Sequence, residues 1–76
     1  MQFNISSQEK IKQIEAVILQ NEITLYGNLI SAGYDPEAFD ESSFVVPEEA
    51  YPMSVYHAIE SLLAKLATLR ATLADI

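Results

Sequence analysis

The sequence predicts an all-α protein, an antiparallel helical hairpin whose two helices are joined by a long, partly packed acidic connection. Two observations favour this fold. Apolar residues recur at spacings of three and four along two long segments, and the segment between them is rich in acidic residues and contains proline. We expect one domain over residues 1–76, with helix 1 at about 7–32, the connection at 33–51 and helix 2 at about 53–75. A third observation, surplus apolar surface on helix 1, predicts that two hairpins form a four-helix bundle dimer.

Composition limits the class of protein. The 76 residues are 50% hydrophobic, lack cysteine, and carry eleven acidic against four basic residues, for a net charge of −7. A chain this short buries only about 60% of its unfolded surface, so it usually needs disulfides, a metal or oligomerisation. Disulfides are excluded, which favours oligomerisation. The negative charge disfavours direct binding to nucleic acid or to an anionic membrane. Because we find neither a spanning segment nor a secretion signal, we expect a cytoplasmic protein.

Both ends of helix 1 are marked in the sequence. Ser6 and Glu9 have the spacing of a capping box, which places the N-terminus of the helix at residue 7. Gly33 can adopt the left-handed conformation that closes a helix, and Tyr34 would then pack on Leu29 in a Schellman motif. A proline follows shortly afterwards and prevents the helix from continuing.

Helix 1 carries two apolar faces, about a third of a turn apart on a helical wheel. The first face consists of Ile11, Ile14, Ile18, Leu25, Leu29 and Ala32. The second face consists of Ala16, Leu19, Ile23, Tyr26 and Ile30. Glu15 and Glu22 lie between them. A helix in a simple hairpin needs one apolar face, so helix 1 has surface for two neighbours.

Helix 2 carries a single heptad seam. Its residues are Val55, Ile59, Leu62, Leu66, Leu69, Leu73 and Ile76. The first face of helix 1 can cover this seam, so the seam alone predicts only the hairpin. The second face would then be exposed, as a patch larger than a monomer usually tolerates. We therefore predict that the second face is the interface of a homodimer or higher oligomer.

The connection is acidic but contains apolar residues. Six of the eleven acidic residues lie there, namely Asp35, Glu37, Asp40, Glu41, Glu48 and Glu49. Asp35-Pro36-Glu37 predicts the start of a short helical turn. We expect the apolar residues of this segment to pack across the helices: Phe39, Phe44, Val45, Val46 and Tyr51. A small β contact between residues 2–5 and 43–46 is a further expectation.

The sequence offers no pattern for catalysis, metal or cofactor. An EF-hand loop counted from Asp35 needs glycine at position 6 and glutamate at position 12, where this chain has Asp40 and Val46. His57 is the sole histidine and has no cysteine or motif-placed serine beside it, so we interpret it as a packing or capping residue. No glycine-rich phosphate loop is present. We therefore expect a protein that is not an enzyme and that holds neither metal nor cofactor.

The predicted function is protein–protein interaction by a small acidic oligomeric helical protein, such as an adaptor, assembly chaperone, antitoxin or phage-type inhibitor. Its partners would be a second copy and another, basic protein. The residues predicted to contact that protein are Asp35, Glu37, Phe39, Asp40, Glu41 and Phe44. One alternative is a nucleic-acid mimic that blocks a basic groove. Another is a helical bundle that binds a small ligand between walls formed by Tyr26, Tyr34, Tyr51, Tyr56 and His57.

Overall fold

The computed structural model describes residues 6–49 and 52–76. Its elements are helix α1 (Ser7–Ser31), a 3₁₀ helix (Glu41–Ser43) and helix α2 (Met53–Ala74), and these residues form no strand. The all-α hairpin predicted from the sequence is therefore confirmed. Residues 2–5, for which a β contact was expected, and Tyr51 lie outside the described residues.

The two ends of α1 have the predicted caps. The hydroxyl of Ser6 accepts a hydrogen bond from the N–H of Glu9 at 3.2 Å. At the other end Gly33 has φ of 89°, and the N–H of Tyr34 donates to the carbonyl of Leu29 at 2.9 Å. The N–H of Gly33 donates to the carbonyl of Ile30 at 3.0 Å, which completes the Schellman motif.

Two side-chain contacts show that α2 runs back along α1. The hydroxyl of Tyr56, early in α2, donates to the carbonyl of Ala32 at 3.2 Å. Arg70, late in α2, contacts Glu22 at 3.3 Å. Later residues of α2 therefore lie beside earlier residues of α1, and the hairpin is antiparallel.

The core lies where the first face of α1 meets the α2 seam. Leu25 and Leu29 of α1 and Ile59 and Leu66 of α2 are its buried residues. The other described seam residues are less protected: Val55, Leu62, Leu69 and Leu73 are half-buried, and Ile76 is exposed. The pairing expected between these two surfaces is confirmed. Its buried part is short, from Leu25 to Leu29 on α1 and from Ile59 to Leu66 on α2.

The molecule is elongated. Its extents are 53 × 24 × 18 Å, and its radius of gyration is 15.2 Å, against about 11 Å for a compact domain of this length. A thin, two-helix layer leaves one side of each helix without a neighbour. Neither described helix is both long and apolar enough to cross a membrane.

The connection begins as predicted and differs from the prediction further along. Residues 36–38 form the short turn predicted from Asp35-Pro36-Glu37, and a 3₁₀ helix follows at Glu41–Ser43. The side chain of Asp35 accepts from the N–H of Glu37 at 3.1 Å, and a bond from the N–H of Ala38 to the carbonyl of Asp35 closes the turn. Val45, expected to pack, is 77% exposed, so that prediction is wrong.

Candidate functional site

The second face of α1 is exposed along its length. Its large side chains retain more than 45% of their accessible surface: Leu19 57%, Ile23 63%, Tyr26 49% and Ile30 56%. Ala16, at the N-terminal end of the stripe, is also exposed. The five residues predicted as an interface therefore form one continuous apolar surface that the rest of residues 6–49 and 52–76 does not cover.

The geometry of α1 explains this exposure. The two faces point about 120° apart on the helical wheel, so a single neighbouring helix cannot contact both. Helix α2 occupies the first face. A shallow depression of about 260 Å³ is left on the second face, lined by Glu22, Ile23 and Tyr26. It has the residue spacing of a hole that receives a side chain from a facing helix.

Gly27 flanks the second face, and nothing in the described part of the chain requires a glycine at this position. A Cβ atom added at this position would meet nothing within 4 Å, and the backbone there has no positive φ. Glycine inside a helix costs about 1 kcal/mol relative to alanine. A helical glycine that gains no packing contact from its own chain is expected where the backbone of another helix approaches closely.

On the polar side of α1, several side chains form hydrogen bonds with the backbone of the same helix. Four side chains donate to the carbonyl four residues earlier, at 2.8–3.0 Å: Asn21, Thr24, Asn28 and Ser31. In the described part of the chain, no side-chain nitrogen or oxygen is buried without a partner. Exposed apolar surface, and not an unsatisfied polar group, is therefore the unusual feature of α1.

Arg70 joins three parts of the chain beside the second face. Its guanidinium donates to Glu41 of the connection at 2.8 Å and to Glu22 of α1 at 3.3 Å. The hydrogen bond to Glu41 is the largest cause that raises the pKa of Arg70. Sequence reasoning did not predict that all three residues meet, because Glu22 and Arg70 are 48 residues apart and no local pattern brings Glu41 to them.

Some acidic side chains of the connection accept hydrogen bonds from nearby backbone N–H groups. The carboxylate of Asp40 caps the 3₁₀ helix, accepting from the N–H of Ser42 at 3.0 Å and from its hydroxyl at 2.7 Å. These hydrogen bonds lower the pKa of Asp40. Asp35 caps the preceding turn, and Glu41 pairs with Arg70. The side chain of Glu37 is exposed.

The predicted contact residues Phe39 and Phe44 lie mostly inside, in an aromatic cluster. Ring centroids are 5.4 Å apart for Tyr34 and Phe39, 6.1 Å for Tyr34 and Phe44, and 6.1 Å for Tyr34 and Tyr56. Edge-on packing of this kind stabilises the fold beyond area burial, by about 0.5–1.5 kcal/mol per pair. The cluster attaches the connection to the core.

Residues proposed as the wall of a ligand site are not all brought together. Tyr34 and Tyr56 share the aromatic cluster, whereas Tyr26 lies on the second face. His57 is exposed, 3.8 Å from Glu60, so the prediction that it packs or caps is wrong. An open depression of about 570 Å³ lies beside the cluster, lined by residues that include Phe39, Asp40, Phe44 and Val45.

Metal binding has no candidate group in the described parts of the chain. Within residues 6–49 and 52–76 no three His, Cys, Asp or Glu side chains converge as a metal ion would require.

Comparisons with known proteins give no relative to set beside this geometry. No family model matches the chain, and no match was found among curated proteins or solved structures.

Proposed function

We propose that this chain is a non-enzymatic, cytoplasmic protein-interaction module that self-associates through the second face of α1. The simplest form is a two-fold dimer with four long helices, in which the connection of each copy contacts another, basic protein. An adaptor, assembly chaperone, antitoxin or phage-type inhibitor would work in this way. The observation that carries the proposal is the exposure of Leu19, Ile23, Tyr26 and Ile30 on one helix face.

Burial of the second face between two copies would be energetically favourable, because its apolar side chains are exposed to water in a single copy. Complete burial of a Leu, Ile or Phe side chain is worth about 1.5–3 kcal/mol, so each half-exposed residue leaves roughly 1 kcal/mol to be gained. The gain applies twice in a symmetric dimer, once for each copy. Few other large apolar side chains of the described residues are exposed: Val17, Val45 and Ile76. Val17 points away from the second face on the helical wheel, and Val45 and Ile76 lie outside both helices, so the second face is the surface most favoured for association.

Gly27 gives independent support. It borders the stripe on the side away from α2, and the space above its Cα is open. A facing helix can approach closely at such a position, because no Cβ separates the two backbones. The same residue would be a plain defect in a chain that worked as a monomer.

Sedimentation equilibrium of two matched variants tests self-association. Ile23→Glu places a carboxylate in the middle of the second face, and Val17→Glu adds the same charge to an exposed position on the far side of α1. We expect the wild type and Val17→Glu to dimerise alike and Ile23→Glu to associate at least about 100-fold more weakly. Equal association of all three proteins, or a monomeric wild type at tens of micromolar, would contradict the proposal.

The role of the connection is tested separately. Glu37, Glu48 and Glu49 have exposed side chains, and their replacement by glutamine removes three charges without touching the Arg70 pairs or the Asp40 cap. We expect this variant to dimerise normally and to lose salt-sensitive binding to basic proteins. The matched control removes three charges outside the connection, at Glu9, Glu15 and Asp75, and should bind as the wild type does. Loss of binding in both variants would point to net charge alone.

A further inference from the structure

We infer that the two α1 helices pair in opposite directions, about a two-fold axis level with Asn21, so that Tyr26 of each copy packs over Ala16 of the other. The inference rests on the proposed self-association and adds its orientation and register. It follows from side-chain size, from charge, and from the Arg70 ion pairs.

Side-chain size favours this register. The stripe is built from two series at seven-residue spacing, one of Ala16, Ile23 and Ile30 and one of Leu19 and Tyr26. When the helices run in opposite directions, members of one series face members of the other. A register that sets Tyr26 against Ala16 also sets Leu19 against Ile23, so that the largest side chain meets the smallest. Parallel helices would set Tyr26 against Tyr26 and leave a gap between two Ala16 residues.

Charge favours the same orientation. Lys12 continues the stripe one heptad before Leu19, so parallel helices would hold two Lys12 side chains against each other. In the opposed register each Lys12 lies next to the partner's Ile30, at the C-terminal end of α1. The last turn of α1 has no basic residue of its own, and Asp35 follows it. A lysine supplied by the second copy would complement both the helix dipole and this carboxylate.

The Arg70 ion pairs reduce the repulsion between the two Glu22 carboxylates that this register brings together near the two-fold axis. Glu22 lies one residue from the axis, so the opposed register brings two Glu22 carboxylates to about the same level. Each is 3.3 Å from the guanidinium of its own Arg70, on the same edge of the second face. The two charges are therefore partly neutralised before the copies meet. Without Arg70 they would repel one another across the interface.

The orientation has a consequence for the proposed binding role. Opposed helices carry the two acidic connections to opposite ends of the dimer, since each connection follows the C-terminus of its own α1. Such a dimer has two separated acidic surfaces and can bridge two basic partners. Parallel helices would bring both connections to one end.

Distances between spin labels test the orientation. The chain has no cysteine, so Gln20→Cys and Ser31→Cys each give one labelling site per copy, and both residues are exposed and outside the stripe. The opposed register places the two copies of residue 20 almost level, and the two copies of residue 31 roughly 30 Å apart along the axis at 1.5 Å per residue. Parallel helices would place both pairs level. The predicted result is therefore a short distance at residue 20 and a long distance at residue 31.

The outcomes separate the orientation from the self-association on which it depends. Two short distances in a dimer would overturn the opposed orientation and leave the proposed function standing. Monomeric behaviour of both labelled proteins and of the unlabelled wild type in sedimentation would overturn the proposed self-association itself. Labels in an Ile23→Glu background provide the control, and should lose the distances between copies.

A size exchange tests the register by a second route. Ala16→Tyr and Tyr26→Ala alone should each weaken association about 10-fold, by a clash and by a cavity respectively. The double variant restores the large-to-small match only if residue 16 faces residue 26, and we expect it to associate within about 3-fold of the wild type. Additive losses in the double variant would overturn the register.

Discussion

The two faces of α1 are alike in composition and opposite in environment. Leu29 belongs to the first face and is 3% exposed, whereas its neighbour Ile30 belongs to the second face and is 56% exposed. Both are aliphatic, and both lie within the last turns of the same helix. What separates them is that α2 and the connection cover one face and reach no further. Hydrophobic patterning thus identifies both apolar faces, but it does not say which of them another element of the same chain covers.

The largest expected difference between the two faces is in how far the free energy of unfolding falls when a large side chain is replaced by alanine. Leu66→Ala, at a fully buried position opposite the first face, should lower the free energy of unfolding by about 2–5 kcal/mol. Ile23→Ala, on the second face, should change it by no more than about 0.5 kcal/mol when the protein is dilute enough to be monomeric. Urea unfolding at low micromolar concentration measures both. Comparable losses would mean that the second face is part of the intramolecular core.

The two glycines should behave in opposite ways. Gly33 has a φ of 89°, so Gly33→Ala forces a left-handed conformation on a residue with a side chain, at a cost of about 1–2 kcal/mol. Gly27→Ala meets open space and should stabilise the dilute monomer by about 1 kcal/mol.

Self-association of the Gly27→Ala variant tests whether a facing helix approaches closely at Gly27. If a facing helix approaches at Gly27, the added methyl group must weaken dimerisation even though it strengthens the helix. Thermal unfolding at low and high protein concentration would show the two effects as shifts of opposite sign. A gain in stability at both concentrations would argue against close approach there.

Arg70 should contribute little to monomer stability and more to association. The Arg70 side chain is 42% exposed, so its ion pairs with Glu22 and Glu41 are screened by water and salt. Arg70→Gln should therefore cost no more than about 1 kcal/mol in unfolding of the monomer. In the proposed dimer the same change would leave two Glu22 carboxylates facing each other, and we expect weaker association at low salt that recovers at high salt. A salt-independent loss would assign Arg70 a packing role instead.

The smallest expected effect is the pH response of the connection. Hydrogen bonds from Ser42 lower the folded-state pKa of Asp40 below its usual 3.8. The carboxylate's contribution is therefore fully present above the unfolded pKa and is lost as pH falls through the lower folded value. The amide resonance of Ser42 should report this titration in NMR spectra, while resonances of the second face should not move with it.

Features set by neighbouring residues were predictable, and those set by distant residues were not. The cap at Ser6 and the Schellman motif at Gly33 follow from a few adjacent residues, and both are present. The pairing of the first face with the α2 seam follows from periodicity. The Arg70 cluster depends on how far the connection folds back over the helices, which no local pattern encodes. The same holds for His57 and Val45, whose exposure depends on where the hairpin ends and the connection turns.

The central claim is that a second copy covers the second face of α1. Isotope-filtered NOE spectroscopy on a mixture of labelled and unlabelled protein measures this directly, because it detects only contacts between copies. We expect such contacts from the methyl groups of Leu19, Ile23 and Ile30 and none from those of Ile59 and Leu66. Contacts confined to other surfaces, or their absence in a sample concentrated to the millimolar range, would contradict the account.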